Sequence, residues 1–335
     1  SGQGQGESTS MARSARYSPA EVPGIATATD IDLGETSACA ALADTTVRCW
    51  GQDSFNQLGN LTTLSSQFHV MGPVAVSGLS GATQVAVSDQ YVSCALINDG
   101  TVRCWGQHSE LIGDGTTDIS AIVGPTQVQG VAGAVQIAAG QTHVCALLGD
   151  GTVRCWGKGY TGQLGNGATT ASATPVTVPG VNGVTSIDAG VGYVGNTGDT
   201  CSTRMDGSVV CWGDNTSGLL QPGGAAALLA PSTVAGLDGA TAVSVGSARG
   251  CIVQSSGRAR CWGDNNSGTL GDGSQTNRPL PGVLVDTTDV TQVSVSTYTT
   301  CLRTSKGRAY CMGRFTGHGQ YFDVNADVRP NEIVF

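Results

Sequence analysis

The chain has 335 residues, of which 39% are hydrophobic and only 12% are charged. Its net charge of −9 argues against a nucleic-acid backbone or anionic lipid as partner, because both are bound by clustered Lys and Arg. No apolar run approaches the ~20 residues of a transmembrane helix, so we expect no membrane insertion. Few charges and fifty glycines are typical of an all-β protein with many tight turns.

Residues 1–17 are polar and rich in glycine, which predicts a flexible tail ahead of a folded region at 18–335. The opening residues do not resemble a signal peptide. We interpret the first residue as a mature terminus from which a signal was removed. The alternative is that Met11 is a start residue preceded by a linker.

Twelve cysteines form six pairs, and the members of each pair are ten positions apart. Zinc sites favour Cys-x2-4-Cys knuckles with further ligands nearby, whereas this chain has no Cys-x-x-Cys and only His143 lies near a pair. We therefore predict six disulfides, an oxidising compartment and a secreted or cell-surface protein. The pairs are Cys39–Cys49, Cys94–Cys104, Cys145–Cys155, Cys201–Cys211, Cys251–Cys261 and Cys301–Cys311.

A β-hairpin explains the ten-residue spacing. If the chain turns at Asn98-Asp99-Gly100, then Cys94 lies opposite Cys104 and Leu96 opposite Val102. The last residue of such a three-residue loop is left-handed, which suits glycine. Glycine occupies this position in five pairs, and Thr45 replaces it in the first.

The hairpins recur at intervals of 50 to 56 residues, a period that suggests one propeller blade per repeat. A strand such as 134–138 precedes each hairpin. A Cys-Trp-Gly sequence closes it in five repeats, and Met312 replaces Trp in the sixth. A Gly-rich stretch such as Gly162-Gln163-Leu164-Gly165 follows, and then a strand that Pro initiates, such as 174–178.

This unit resembles the regulator-of-chromosome-condensation repeat from about residue 18 to the end of the chain. The resemblance implies a single all-β propeller of four-stranded blades. We count six blades; seven, which is commoner in that family, is the alternative. The family's nuclear nucleotide exchange conflicts with six disulfides. The secreted branch of β-lactamase inhibitors is closest in setting, and it suggests an extracellular protein binder.

The tryptophans of the repeated motif are interpreted as packing between blades, with each indole N–H bonded to a local acceptor. Sugar stacking by these rings, and hence a carbohydrate ligand, is the unsupported alternative. Asp-Asn segments at 214–218 and 264–268 are interpreted as Asx turns, since they lack the ligand spacing of a calcium loop. We predict no cofactor and no metal.

Residues that vary between repeats are the candidates for binding, because repetition marks the scaffold. The turns before the hairpins vary most, and in the fourth repeat this turn lengthens to span 191–200. In a propeller these turns share one face, and Tyr and Arg are enriched at binding hot spots. Ordinary surface loops are the alternative. The candidate face comprises Glu35, Thr36, Gln90, Tyr91, Gln141, Thr142, Tyr193, Asn196, Arg249 and Tyr298.

The terminal segments add a second hypothesis. The Pro strand occurs seven times for six hairpins, with copies at Pro19 and Pro330 near the two ends. We expect one terminal strand to close the ring, which leaves the other to lie along its own blade or to pair with a neighbouring subunit and build a filament or surface layer.

These observations favour a monomeric secreted propeller that binds a protein partner. A self-assembling structural subunit is the alternative. An enzyme with a site at the channel is the weakest hypothesis, because no catalytic motif occurs and the four histidines occupy different repeat positions.

Overall fold

A computed structural model describes residues 21–61, 69–107, 109–119, 121–191, 197–218, 220–221, 223–283, 287–313 and 327–333. These residues form six sheets, each of four antiparallel strands that are consecutive in the chain. The chain is an all-β propeller of six blades with one disulfide in each, as predicted.

Each blade runs from an inner strand beside the central channel to an outer strand at the rim. Blades one to three contain β1 Ala28–Leu33, β2 Ser37–Leu42, β3 Val47–Gln52, β4 His69–Ala75; β5 Ala82–Val87, β6 Val92–Ile97, β7 Val102–Gln107, β8 Ile122–Gln127; β9 Ala134–Ala139, β10 His143–Leu148, β11 Val153–Gly157 and β12 Ser172–Thr177.

Blades four to six contain β13 Val184–Val191, β14 Gly198–Arg204, β15 Val209–Asp214, β16 Ala227–Thr233; β17 Ala240–Gly246, β18 Arg249–Gln254, β19 Ala259–Gly263, β20 Arg278–Val283; β21 Val290–Val295, β22 Thr299–Thr304, β23 Ala309–Gly313 and β24 Asp327–Ile333. A single turn of 3-10 helix spans Glu110–Ile112. No helix in the described ranges is both long and apolar enough to span a bilayer.

The hairpin register confirms the prediction from cysteine spacing. Cys94 pairs directly with Cys104 and Leu96 with Val102, and the same opposition of cysteines occurs in all six blades. The Cα atoms of Cys94 and Cys104 are 4.0 Å apart. Gly100 ends the turn in the left-handed region at φ 79°, and Thr45 takes that conformation in blade one at φ 66°.

The outer strands differ from the expectation that Pro initiates them. β12 begins at Ser172, before Pro175, and its pairing shifts between Cys155 and Gly157 of β11. The irregular pairing leaves room for a residue that has no N–H to donate. An outer strand tolerates Pro because one of its edges faces away from the sheet.

Hydrophobic clusters join successive blades. The cluster between blades one and two contains Leu58 and Val76 from the first and Val85 and Trp105 from the second. Equivalent clusters join each following pair as far as blades five and six. The predicted role of the tryptophans is confirmed at Trp105, whose Nε1–H donates to the Gln57 carbonyl oxygen at 3.0 Å.

Two tryptophans show the range of this packing. Trp156 donates to the Leu111 carbonyl oxygen at 2.8 Å and is fully buried. Trp50 of blade one departs from the pattern because it is only half-buried. Trp50 lies in blade one, which no other blade precedes in the chain.

The two terminal copies of the Pro strand have different positions. The copy at Pro330 lies in β24, which pairs with β23 and completes blade six. The copy at Pro19 lies outside the described residues, as does the tail predicted at 1–17.

Candidate binding face and channel

The strand order gives the propeller two unlike faces. The loop face carries the described connections between first and second strands (34–36, 88–91, 140–142, 247–248 and 296–298) and the described parts of those between third and fourth strands. The turn face carries the hairpin turns between second and third strands and the linkers between blades.

The turn face repeats one hydrogen-bonded turn in four of the six blades. In blade two, the Asp99 carboxylate accepts from the Thr101 backbone N–H at 2.9 Å and from the Thr101 hydroxyl at 2.6 Å. The same two bonds occur at Asp44, Asp150 and Asp206. They hold the pKa of these exposed carboxyls below the ordinary range. This face therefore repeats one structural device.

The loop face varies, and part of the predicted binding set lies on it. Glu35, Thr36 and Tyr298 are exposed, whereas Gln90 and Gln141 are half-buried. The Tyr298 side chain is 51% exposed, which is unusual for a large aromatic residue.

An aromatic pair crosses from blade one to blade two on this face. The Phe55 and Tyr91 ring centroids are 4.7 Å apart and the rings are inclined at 40°. Tyr91 has a left-handed φ of 60°, which aims its side chain out of the usual strand direction. Tyr160, 56% exposed, adds an aromatic residue that the sequence reasoning missed. The sequence feature that could have pointed to Tyr160 is its position shortly after a Trp-Gly motif.

Two predicted binding residues are buried and cannot contact a partner in this conformation. The Thr142 hydroxyl accepts from Gln163 Nε2 at 3.2 Å inside the blade-three loop. Arg249 forms an ion pair with Asp264 at 3.0 Å, and it donates to the Ser296 carbonyl oxygen of the next blade. Both residues fix loops in place. Their burial depends on distant segments, so local sequence did not reveal it.

The insertion in blade four is partly strand. β13 and β14 extend their pairing through Gly190 with Asp199 and Val191 with Gly198, which shortens the loop predicted at 191–200. The candidates Tyr193 and Asn196 lie outside the described residues.

The central channel has a volume of about 920 Å³ and is lined by the inner strands of all six blades. Its ionisable lining is acidic: Asp30, Asp32, Glu35, Asp89 and Asp188, without a Lys, Arg or His among the described lining residues. The sequence reasoning singled out Glu35 but not the inner-strand carboxylates Asp30, Asp32 and Asp188, because their positions hold Gln, Ser or Ala in other blades.

The channel carboxylates tie adjacent blades together. Asp32 Oδ2 accepts from the Val87 backbone N–H at 2.7 Å, and Asp188 Oδ2 accepts from Val245 N–H at 2.8 Å. Burial raises the pKa of Asp32 to about 7 and that of Asp188 to about 6, although these bonds oppose the rise. A protonated carboxyl keeps an acceptor oxygen, so both forms can hold the neighbouring strand.

Two buried polar side chains lie near the interface of blades three and four. His143 Nε2 is 2.7 Å from the Thr200 hydroxyl, and burial lowers the pKa of His143 to about 3. Burial raises the pKa of Asp199 well above its ordinary range. His143 is therefore neutral at pH 7. The described residues contain no cluster of three or more His, Cys, Asp or Glu that could hold a metal ion.

Comparisons with known proteins agree with this architecture. Models of the regulator of chromosome condensation (RCC1) repeat match residues 134–163 and 240–269, and residues 150–195 and 256–302. The chain is a six-bladed propeller in which these segments match the RCC1 repeat. Each of its six blades carries a hairpin disulfide.

A sequence relative is the E3 ubiquitin-protein ligase HERC2 of Homo sapiens, 30% identical over 200 residues. The Mus musculus protein of the same name is 31% identical over 189 residues. The matched regions cover 56% and 52% of this chain but only 4% of either relative. The similarity is therefore confined to a small part of a much longer protein.

Solved structures show the same fold. Human WBSCR16 superposes with a TM-score of 0.75 at 19% identity, covering 91% of this chain and 81% of that one. Yeast RCC1 (Prp20), solved bound to Kap60, gives 0.72 at 20% identity, with 91% and 74% covered. Prp20p of Saccharomyces cerevisiae, described with its binding properties to Gsp1p and histones, gives 0.74 at 21% identity.

Proposed function

We propose that this chain is a non-catalytic binding propeller that engages a protein partner through its loop face. The contrast between the two faces carries the proposal. The turn face repeats one Asp-centred turn in four blades, whereas the described loops between first and second strands differ from blade to blade, and the loop face exposes Tyr160 and Tyr298. A scaffold that repeats one set of turns and varies a set of loops on the opposite face is suited to recognition.

The chemistry of the loop face supports a protein partner. Exposed tyrosines supply contact area with one polar atom each, which is typical of protein interfaces. Glu35 adds an exposed carboxylate, and both Glu35 and Tyr298 line the channel. The candidate residues Glu35, Gln90, Tyr91, Gln141 and Tyr298 contain no pair of nucleophile and base, which favours binding over catalysis. Propellers of this fold bind proteins, as the Kap60 complex illustrates for yeast RCC1.

We also propose that the protein works in an oxidising compartment, at the cell surface or outside the cell. All twelve cysteines are paired and no free thiol remains. Reducing cytosol removes such bonds. Non-reducing mass spectrometry of protein isolated from its native source tests this: six intact hairpin disulfides are expected, and twelve free thiols would refute it.

The binding proposal is tested with immobilised protein and quantitative mass spectrometry of retained proteins. A variant with Tyr298→Ala, Tyr160→Ala and Glu35→Lys should lose its main partner at least tenfold. Met205→Ala is the matched control, because Met205 is 81% exposed on the turn face. Retention of the same partner by the triple variant, with loss in the control, would place binding on the turn face and refute the proposal.

Self-assembly is a second candidate, favoured by apolar surface at the edge of blade one. Ile31 and Leu33 are 51% and 67% exposed. Light scattering over rising concentration separates the candidates. A constant mass near that of one 33.8 kDa chain supports the binding module, and growing regular polymers support the structural subunit.

A further inference from the structure

Side chains along the channel wall join the inner strands of successive blades. At the interface of blades two and three, Gln84 Oε1 accepts from the Ile137 backbone N–H at 2.8 Å, and Gln84 Nε2 donates to the Ile137 carbonyl oxygen at 3.1 Å. Gln136 makes the same two bonds to Ile187 at the next interface. A carboxamide suits this position, because it offers one acceptor and one donor to a residue that presents one N–H and one carbonyl oxygen.

At the interface of blades one and two, carboxyl groups take the place of the carboxamides. Asp30 holds the strand position of Gln84, and its Oδ2 accepts from the Val85 N–H at 2.8 Å. Two residues further along β1, Asp32 Oδ2 accepts from the Val87 N–H at 2.7 Å. An ionised carboxylate has only acceptor atoms, whereas a protonated carboxyl has one donor, as a carboxamide does. Asp30 can therefore match both bonds of Gln84 only in its acid form.

The Val85 carbonyl group is the acceptor for this second bond. Val85 and Ile137 hold corresponding positions in β5 and β9, and an extended residue directs its N–H and its C=O to the same edge of the strand. Because the Val85 N–H faces Asp30, the Val85 carbonyl oxygen faces the same side. Ionisation of Asp30 removes the donor that its side chain can offer to this oxygen and adds a negative charge beside it.

The surroundings of these carboxyls are acidic. On the loop-face side, Asp89 Oδ1 accepts from the Glu35 N–H at 2.6 Å, so two further acidic residues lie on the two sides of the same interface. The strands packed against β1, which are β2 and β5, contain no residue that titrates, and across the channel β13 contributes only Asp188. The described channel lining has no Lys, Arg or His. Ionisation at this interface is therefore not balanced by a cation in the channel wall.

These surroundings favour the acid form. Desolvation raises the pKa of Asp32 to about 7, against the opposing effect of the bond from Val87, and the charges of Asp188 and Asp30 add to the rise. Desolvation also raises the pKa of Asp30 and that of Asp89 above the ordinary range. As pH rises through about 7, the folded chain therefore loses protons from this interface and its carboxyls come to repel one another.

We propose that the interface of blades one and two is a proton-dependent joint, which is closed while Asp30 and Asp32 carry protons and loosens when they ionise. The two interfaces that Gln84 and Gln136 bridge have no titrating group in the same place, so they keep their bonds over the same pH range. The interface of blades four and five, which Asp188 bridges alone, responds less because it has one carboxyl in place of two.

The joint also lies beneath two loops of the loop face. The bond between Glu35 and Asp89 crosses it, and the Phe55 and Tyr91 rings meet across it at a centroid distance of 4.7 Å. Loosening of the joint therefore changes the spacing between these loops. The proposal concerns the scaffold, and it holds whichever molecule the loop face binds.

Hydrogen exchange resolved to single amides tests the joint in the full chain. The amides of Val85 and Val87 report on the joint, and those of Ile137 and Ile187 report on the two interfaces bridged by Gln. After correction for the intrinsic exchange rate, protection of Val85 and Val87 should fall at least tenfold between pH 5 and pH 8. Protection of Ile137 and Ile187 should change less than about threefold. Equal protection of Val85 and Val87 at both pH values would overturn the proposal, as would an equal fall at all four amides.

Removal of the titrating groups is the second test. A variant with Asp30→Gln and Asp32→Asn keeps acceptor oxygens and gains amide donors, so protection of Val85 and Val87 should become independent of pH. A tenfold fall that persists in this variant would assign the effect to other groups and overturn the proposal. If this variant folds poorly, the comparison of the four amides in the unaltered chain still decides.

Transfer of a carboxyl to another interface is the third test. Gln84→Glu should give the Ile137 amide the pH-dependent loss of protection that the unaltered chain shows only at the joint. Gln292→Glu is the matched control, because Gln292 is the exposed counterpart of Gln84 in blade six, and it should leave Ile137 unchanged. Protection of Ile137 that stays independent of pH in Gln84→Glu would overturn the proposal.

Discussion

At the scale of single residues, the channel carboxylates connect structure to pH. Asp32 bonds the next blade from a half-buried position in the channel wall, and desolvation raises its pKa to about 7. In the unfolded chain an Asp titrates near pH ~3.9. Between these values the folded state binds more protons than the unfolded state. The free energy of unfolding therefore falls as pH rises from about 4 to about 7.

Asp32→Asn should flatten this pH dependence. Asn keeps an oxygen that can accept from Val87 N–H and has no charge to bury. We expect the wild-type Tm to be lower at pH 8 than at pH 5, and the difference to shrink in the variant. Asp150→Asn is the control, because hydrogen bonds from Thr152 lower the pKa of this exposed carboxyl. An unchanged difference between pH 5 and pH 8 in Asp32→Asn would contradict this account.

The hairpin turns could be predicted residue by residue, whereas the channel and part of the binding face could not. Cys94 and Cys104 share a local turn, so their spacing sets their register. Thr142 is bonded by Gln163 and Arg249 by Asp264. In each case the partner lies beyond the next two strands of the same blade, and no sequence pattern connects the two residues. Asp32 was not predicted, because its place in the channel wall depends on its contact with the next blade, and the corresponding position does not hold the same residue in every blade.

At the scale of the element, the turn glycines of blades two to four permit close contact with the next linker. A β-carbon on Gly100 would lie 2.8 Å from the Gly133 Cα. Gly151 and Gly207 meet Gly183 and Gly239 in the same way, at 3.0 and 2.8 Å. The glycines therefore serve both the left-handed turn and the packing of one blade on the next.

Gly100→Ala and Gly307→Ala form a matched pair that separates these two roles. Both glycines have left-handed φ, at 79° and 75°, but no atom lies within 4 Å of the Gly307 β-carbon position apart from its chain neighbours. Backbone strain of ~1–2 kcal/mol is expected in both variants. Gly100→Ala should lose at least about 1 kcal/mol more, because backbone atoms cannot move aside as a side chain can. Equal losses in denaturant unfolding would refute the contact role.

The tryptophans permit a second comparison between blades. Trp105→Phe removes a buried donor to the Gln57 carbonyl oxygen and leaves a cavity in the core between blades one and two. We expect a loss of ~2–4 kcal/mol in the free energy of unfolding. Trp50→Phe, at a half-buried position, should cost less than half as much. A loss for Trp50→Phe as large as that for Trp105→Phe would show that the Trp50 ring is packed as tightly as the Trp105 ring.

At the scale of the whole molecule, the disulfides add stability to blades that are individually small. Each closes a hairpin of ten-residue separation, for which chain entropy gives about 2.5–3 kcal/mol, or about half if the turn is ordered when unfolded. Six such contributions rival the ~5–15 kcal/mol net stability of a typical domain.

Reduction of all six disulfides should therefore unfold the propeller at 25 °C. The expected result is loss of the near-ultraviolet circular dichroism of the buried tryptophans after reduction and alkylation in native buffer. An oxidised sample carried through the same steps without reductant is the control. A reduced chain that keeps the native spectrum would show that the five cores between blades suffice on their own.

Five hydrophobic clusters join successive blades, and among the described residues none joins blade six to blade one, which affects how the molecule unfolds. Blades that touch only their neighbours behave as a one-dimensional array, in which the terminal units are held from one side. Blades one and six are such units and fray first, and the middle blades exchange their amides last.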